Sequence, residues 1–182
     1  LRGPRWGFAA AGRGRSAAAA CMGRVDGVRR LRVYWLSARE PGVPLENPRQ
    51  VSAFRYPRQY GPQAPSFARA LLPPLATGLP LLQSGTAAII GHASQHTGAL
   101  AEQLAETLTN LQSLVDAARG QRPALSPTLG SASLLKVYVR NAGDLDAVAA
   151  QLAALPAAPA FVVLHAEVCR AELLVEIEGL HR

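Results

Sequence analysis

The sequence predicts an α+β fold in which two helices cover one face of a sheet. Three observations carry this. A long run with helical period occupies residues 98–119, and a shorter one follows at 144–155. Apolar segments of strand length lie before, between and after them.

In chain order, residues 31–35 (LRVYW) read as a short strand, and residues 41–48, between Pro41 and Pro48, as a Pro/Gly turn region. Residues 51–56 alternate weakly and read as a second strand. Gly61, Pro62 and Pro65 punctuate a loop at 60–65. Segments 79–83 and 86–90 read as strands meeting at a bend or bulge at Ser84 and Gly85. In the long helix, Leu100, Leu104, Leu108, Leu111 and Val115 recur on one face, and Gly120 and Pro123 stop it. The stretch 134–140 (LLKVYVR) is a strand. Asp144 is placed to cap the second helix, whose apolar face is Leu145, Val148, Leu152 and Leu155, with Pro156 and Pro159 beyond. Strands at 160–168 and 173–178 close the chain. Hairpin-like joins are expected at both ends. The uncovered sheet face should be largely apolar, so it calls for another surface, from trimerisation or from a second similar domain.

At 182 residues, 49% of them hydrophobic, the chain has the material for one domain, with or without an appendage. The net charge of +7 is unevenly spread. Residues 1–70 carry 13 Arg and 3 acids, whereas residues 71–182 carry 6 Lys+Arg and 9 acids. Lys136 is the one lysine among 19 basic residues, a bias that suits a GC-rich genome better than a nucleic-acid arm. The arm also lacks interleaved aromatics, so no nucleic-acid partner is expected. Residues 1–21 read as upstream translation or a disordered tail; a transit peptide is the alternative. No Asp, Glu, Lys or Arg occurs from 70 to 101, but Pro73, Pro74, Gly78, Pro80 and Gly85 interrupt that stretch, so buried strands are expected there and no membrane span. Cys21 and Cys169 have no CxxC or Cys/His spacing, which suits a reducing cytoplasm. His92 and His96 offer no third ligand, and no metal site is expected.

Several strings in this order resemble the Rid (YjgF-like) family: LPLLQSG (79–85), ALAEQLAETLTNLQSL (99–114), KVYVR (136–140), GDLDAV (143–148) and VEIEG (175–179). Rid deaminases carry an arginine two positions after the proline matching Pro159. This chain has Phe161, so the bidentate carboxylate clamp of those enzymes is missing. A second set of strings is similar to the chorismatases: ENPRQVSA (46–53), FRYPRQYGP (54–62), SFARA (66–70), SGTAAIIGH (84–92) and EVCRAELLVEIEG (167–179). In that family a substantial N-terminal half precedes the first of these. Only 45 residues precede it here. The resemblance therefore implies a basic tail at 1–29, a remnant of an N-terminal half at 30–61 and a Rid/YjgF-like domain at 62–182.

What the chorismatase resemblance implies is cofactor-free cleavage of chorismate to pyruvate and 3-hydroxybenzoate, with 4-hydroxybenzoate as a further product. A non-catalytic Rid-like binding or assembly unit is the alternative. Opening an enolpyruvyl ether needs a proton on its methylene carbon, and a buried carboxylic acid can deliver one near neutral pH. Glu176 occupies the family's catalytic-glutamate position. From composition alone it would be a solvent-facing carboxylate, and Glu178 shares its strand face. The two substrate carboxylates call for guanidinium and hydroxyl donors, for which Arg58, Arg69, Arg170, Tyr56 and Tyr60 are the candidates. Gly85 and Cys169 match positions that shape the pocket and separate product types. The implied partners are chorismate and further copies of the chain, a trimer among the options.

Overall fold

The computed structural model describes residues 38–182 together with Ala18 and Leu36. The expected strand at 31–35 and, apart from Ala18, the basic tail lie outside the described residues. Ala18 makes an isolated parallel bridge to Ala68.

Six strands join in one sheet: β1 (Val43–Leu45), β2 (Ala70–Leu72), β3 (Leu81–Thr86), β6 (Ser133–Val139), β7 (Ala160–His165) and β8 (Val175–His181). A small hairpin of β4 (Ile89–Ile90) and β5 (Ala93–Ser94) stands apart. The sheet order is β1-β2-β3-β8-β6-β7, with β6 and β7 parallel and the other pairs antiparallel. Helix α1 (Leu100–Arg119) and helix α2 (Leu145–Ala153) cover one face.

α1 forms where the helical period predicts it. Gly98, at φ 80°, turns the chain into it, and Glu102 and Arg119 lie at the ends where the helix dipole favours their charges. Its buried stripe includes Leu104, Thr107, Leu111, Leu114, Val115 and Ala118. Leu104 and Leu111 pack on Leu135, Val137 and Val139 of β6 and on Val175 and Ile177 of β8, together with Val148 and Leu152 of α2. Leu114, Val115 and Ala118 pack on Leu45, Ala70, Leu72 and Leu81 at the other end of the sheet. Each such aliphatic side chain contributes about 1.5–3 kcal/mol by leaving water. Phe161 is partly buried against this core, so the position where Rid deaminases carry arginine is used for packing.

Several expectations need correction. Residues 51–56 form no strand. Arg55 N–H bonds to Ser52 O and Tyr56 N–H to Ala53 O, which closes a 3-10 turn over Ala53–Arg55. Pro57 follows, and the segment is tied to the fold instead through Val51 N–H to Gly91 O. The proline-rich 41–48 region contains β1, and β2 opens the uncharged 70–101 stretch in which buried strands are expected. Asp144 makes no side-chain cap; it ends a 3-10 turn (Ala142–Asp144) and accepts from Asn141 Nδ2 at 2.9 Å. The last two strands form no hairpin, because β6 lies between β7 and β8. The expected bulge is present, as a register shift between Gln83 and Thr86 against β8.

Strand alternation sends Val175, Ile177 and Gly179 toward the helices and Glu176, Glu178 and Leu180 to the open face. At Gly179 an added Cβ would lie 3.0 Å from Gln83 Oε1 and 3.0 Å from Leu135 Cδ2. The glycine thereby leaves room for Gln83 Nε2 to donate to Leu111 O of α1 at 2.9 Å. No helix among the described residues is long and apolar enough to cross a membrane.

Candidate active site

Glu176 lies on the open face of β8, yet only 6% of it is exposed. Its register partner on β6 is Tyr138. Burial raises its carboxyl to about 7; the Glu178 charge acts in the same direction, while a hydrogen bond from the Cys169 thiol and the Arg69 charge oppose it. One carboxyl oxygen, Oε2, is buried and makes no hydrogen bond. A carboxylic acid of this kind holds a proton near neutral pH and keeps one oxygen without a hydrogen-bond partner.

Two guanidinium groups lie nearby. Arg69, just before β2, is 3% exposed; its Nη2 donates to Val51 O at 3.0 Å and to the Tyr56 hydroxyl at 2.5 Å. Its guanidinium carbon is 5.2 Å from the Tyr56 ring centre and 5.3 Å from that of Phe67. Arg170 stacks 3.9 Å from the Tyr60 ring centre and 5.3 Å from that of Tyr56, a cation–π clamp that fixes the plane of the guanidinium. Its Nη1 donates to His92 O at 2.9 Å and Ser94 Oγ at 3.0 Å. Arg69 Nε and Arg170 Nη2 are buried without a hydrogen-bond partner. Unpaired guanidinium N–H groups and a proton-bearing carboxyl in one neighbourhood suit an anionic ligand that needs a proton.

The predicted set is thus largely brought together: Glu176, Cys169, Arg69, Arg170, Tyr56 and Tyr60 share contacts. Cys169 is exposed as a residue, but its thiol is turned toward Glu176. Burial of that thiol, with the Glu176 charge adding to it, pushes it up to about 12, which the hydrogen bond to the carboxyl requires in any case. A thiol so raised keeps its proton near neutral pH and is suited to donating to the carboxyl. Gly85 sits in the β3 bulge, opposite the Ile177–Gly179 stretch of β8. Arg58 departs from the set: it is exposed at the start of a 3-10 turn (Arg58–Tyr60) and shares none of these contacts.

Sequence reasoning missed the supports. Arg140, at the end of β6, donates to the carbonyls of Val168, Arg170 and Leu173 and pairs with Glu167 at 2.6 Å, so it shapes the loop that carries Cys169 and Arg170. Gln103 of α1 donates to Glu172 O and accepts from Leu174 N–H, pinning the far side of that loop. Ser94 links Arg170 to Glu172, and its hydrogen bond lowers the Glu172 carboxyl. Glu46 lies within reach of the Arg69 charge; burial raises it, while a Ser52 hydrogen bond and the charges of Arg69 and Arg55 counter that. Glu46 and Arg140 lie inside or beside the quoted strings, but nothing in their spacing marks them as supports. His92 contacts the Tyr60 hydroxyl and His96 lies 3.7 Å from Glu106, and among the described residues no three metal-ligating groups converge.

A 3-hydroxybenzoate synthase of Streptomyces hygroscopicus is 42% identical to this chain over 156 residues, covering 81% of the chain and 46% of that protein. A chorismatase of Streptomyces rapamycinicus is 40% identical over 153 residues, with the same coverage of 81% and 46%. Over this span the chain belongs to the chorismatase family. The crystal structure of a chorismatase superposes with a TM-score of 0.69 at 36% identity, covering 79% of this chain and 44% of that one. The chain thus spans about half the length of the chorismatase relatives it matches. The E. coli YjgF product shares the fold alone, with a TM-score of 0.50 at 19% identity, and is covered over 98% of its length. No family model matches the chain.

Proposed function

We propose that this chain carries out chorismatase chemistry, converting chorismate to 3-hydroxybenzoate and pyruvate, with 4-hydroxybenzoate as a second product. The observation that carries this reading is the buried Glu176 carboxyl, proton-bearing up to about pH 7 and with one free oxygen, beside the unpaired N–H groups of Arg69 and Arg170. Glu176 gives its proton to the methylene carbon of the enolpyruvyl ether. The resulting oxocarbenium ion makes pyruvate a leaving group. The neighbouring ring hydroxyl, giving its proton to the Glu176 carboxylate, displaces pyruvate at the ether-bearing ring carbon. The bridging oxygen then opens to either ring carbon as a ring proton is lost, giving 3- or 4-hydroxybenzoate. Chorismate divides into hydroxybenzoate and pyruvate with no net gain of atoms, so no cofactor is required. Arg69 and Arg170 countercharge the carboxylates, while Tyr56 and Tyr60 hold the guanidinium planes. Gly85 and Cys169 shape the pocket and so the product. Arg58, exposed and apart, is left without a role at this site.

Coupled pyruvate detection with purified protein and chorismate tests the reading, with chromatography to identify the product. Glu176→Gln should lower pyruvate release by about 10²–10⁴-fold while leaving chorismate binding nearly intact. Turnover that survives this change would sink the mechanism. A non-catalytic binding unit is the second reading; absence of turnover in the parent protein would support it. Residence in the cytoplasm belongs to the same proposal and rests on cysteine usage.

A further inference from the structure

Beside Glu176 the open face holds a second charged group that the proposed chemistry does not use. Glu178, two residues further along β8, shares that face. Its Oε1 takes a hydrogen bond from the Tyr138 hydroxyl at 2.8 Å and an ion pair from Lys136 Nζ at 2.5 Å. Both partners come from β6, where Lys136 is in register with Glu178 and Tyr138 with Glu176. Lys136 Nζ also lies 5.9 Å from the Tyr138 ring centre. The four side chains therefore form a two-by-two block across adjacent strands, with the two carboxyls on one strand and their polar neighbours on the other. Lys136 and Glu178 remain partly open to solvent, at 46% and 24% of their side chains, whereas Glu176 is closed off.

We propose that Glu178, held in place by Lys136 and Tyr138, is a positioning residue for Glu176: its fixed negative charge adds to burial in keeping the neighbouring carboxyl in the proton-bearing form. Two anions on one low-dielectric strand face repel, so one being fixed as the ion makes ionisation of the other costlier. The pair divides the work by surroundings. Glu178 has an ammonium and a hydroxyl to stabilise its charge, and Glu176 has an oxygen with no partner. The other groups near Glu176 are Arg69 before β2, Cys169 with Arg170 beside it on the loop after β7, and Lys136 and Tyr138 on β6; β3 brings no charged residue. Of these Arg69 opposes the effect, and Lys136 limits it by offsetting the Glu178 charge from the exposed side.

This inference deepens the proposed function and rests on Glu176 being the proton donor there, but its test does not need turnover. In the full chain labelled with ¹³C at the glutamate carboxyls, the Glu176 resonance is assigned by its loss in Glu176→Gln and followed by NMR across pH. Glu178→Gln should move its titration to lower pH by about one pH unit, since a like charge is gone. Lys136→Gln, at an exposed site, should move it to higher pH, since the offsetting positive charge is gone. Opposite signs from two neutralising changes are what a charge effect gives and damage to packing does not. An unmoved titration in Glu178→Gln, or movement in the same direction in both variants, overturns the proposal; Lys136→Gln decides alone if the other variant fails to fold. Where chorismate is turned over, the alkaline limb of kcat should follow the same two shifts. If chorismate is not turned over but the NMR shifts occur, the inference stands and the proposed reaction fails.

Discussion

A carboxyl taken out of water and left with a free oxygen costs free energy as an anion, and the protein lowers that cost by keeping the proton. For Glu176 this ties the proposed role to stability. Its carboxyl sits at about 7 in the folded chain against an ordinary 4.5. Between those values the folded state holds a proton that the unfolded chain has released. Its contribution to stability is therefore complete below about pH 4.5 and is lost as pH rises through about 7. Glu176→Gln removes that dependence. Urea denaturation should show the variant gaining on the parent by on the order of 3 kcal/mol between about pH 5 and about pH 8. An equal difference at both pH values would contradict the assignment. The residue was legible in the sequence through the string around it, not through its surroundings: composition alone made it a solvent-facing glutamate. Arg69, Arg170, Tyr56 and Tyr60 were legible in the same way. Arg58 was not distinguishable from them, because exposure is decided by a turn whose geometry the string does not show.

At the scale of elements, periodicity identified what packs over several turns and missed what pairs over three residues. α1 and α2 each repeat an apolar stripe often enough to be read directly. β1 and β2 are three residues long, too short to show alternation, and β1 lies among prolines. The 3-10 turn at 53–55 replaces a predicted strand because local carbonyls capture its N–H groups. What holds these irregular segments is a polar network centred on Asn110 of α1. Its Nδ2 donates to Ala87 O at 3.0 Å and Ile89 O at 2.9 Å, and its Oδ1 accepts from Arg49 at 2.7 Å. Asn47 Nδ2 in turn reaches Asn110 O at 2.8 Å, and Arg49 pairs with Glu106 at 2.7 Å. The network joins the helix to the segment before β4 and to the 46–50 loop. Asn110→Ala would leave a buried set of partners unpaired and should cost about 2–4 kcal/mol, read as a fall in the urea midpoint. A loss below about 0.5 kcal/mol would mean that water replaces the amide at little cost.

For the whole molecule, the question is what lies over the open face of the sheet. The sequence predicts a largely apolar face, and the structure divides it. One end carries the block of Glu176, Glu178, Lys136 and Tyr138. The other carries an apolar row that crosses four strands: Leu71 pairs with Leu82, Leu82 with Leu180, and Leu180 with Leu134. Leu134 is 51% exposed and Leu180 38%, while Val162 and Leu164 of β7, in register with Lys136 and Tyr138, flank the polar block. Large aliphatic groups set side by side in water favour association, and closed symmetry satisfies every copy at once. We therefore expect a homo-oligomer, a trimer among the options, with its contact centred on the leucine row. Because the row and the Glu176 block share one face, a neighbour seated there would also cover the Glu176 block. Light scattering at micromolar concentration should report a mass above that of one chain. Leu180→Asp places a charge in the middle of the row and should shift the protein to monomer. Since Leu180 is already partly in water, the fold should survive, with an unchanged far-ultraviolet circular dichroism spectrum. A parent protein that is a well-folded monomer under these conditions would show that something other than its own copies covers the face.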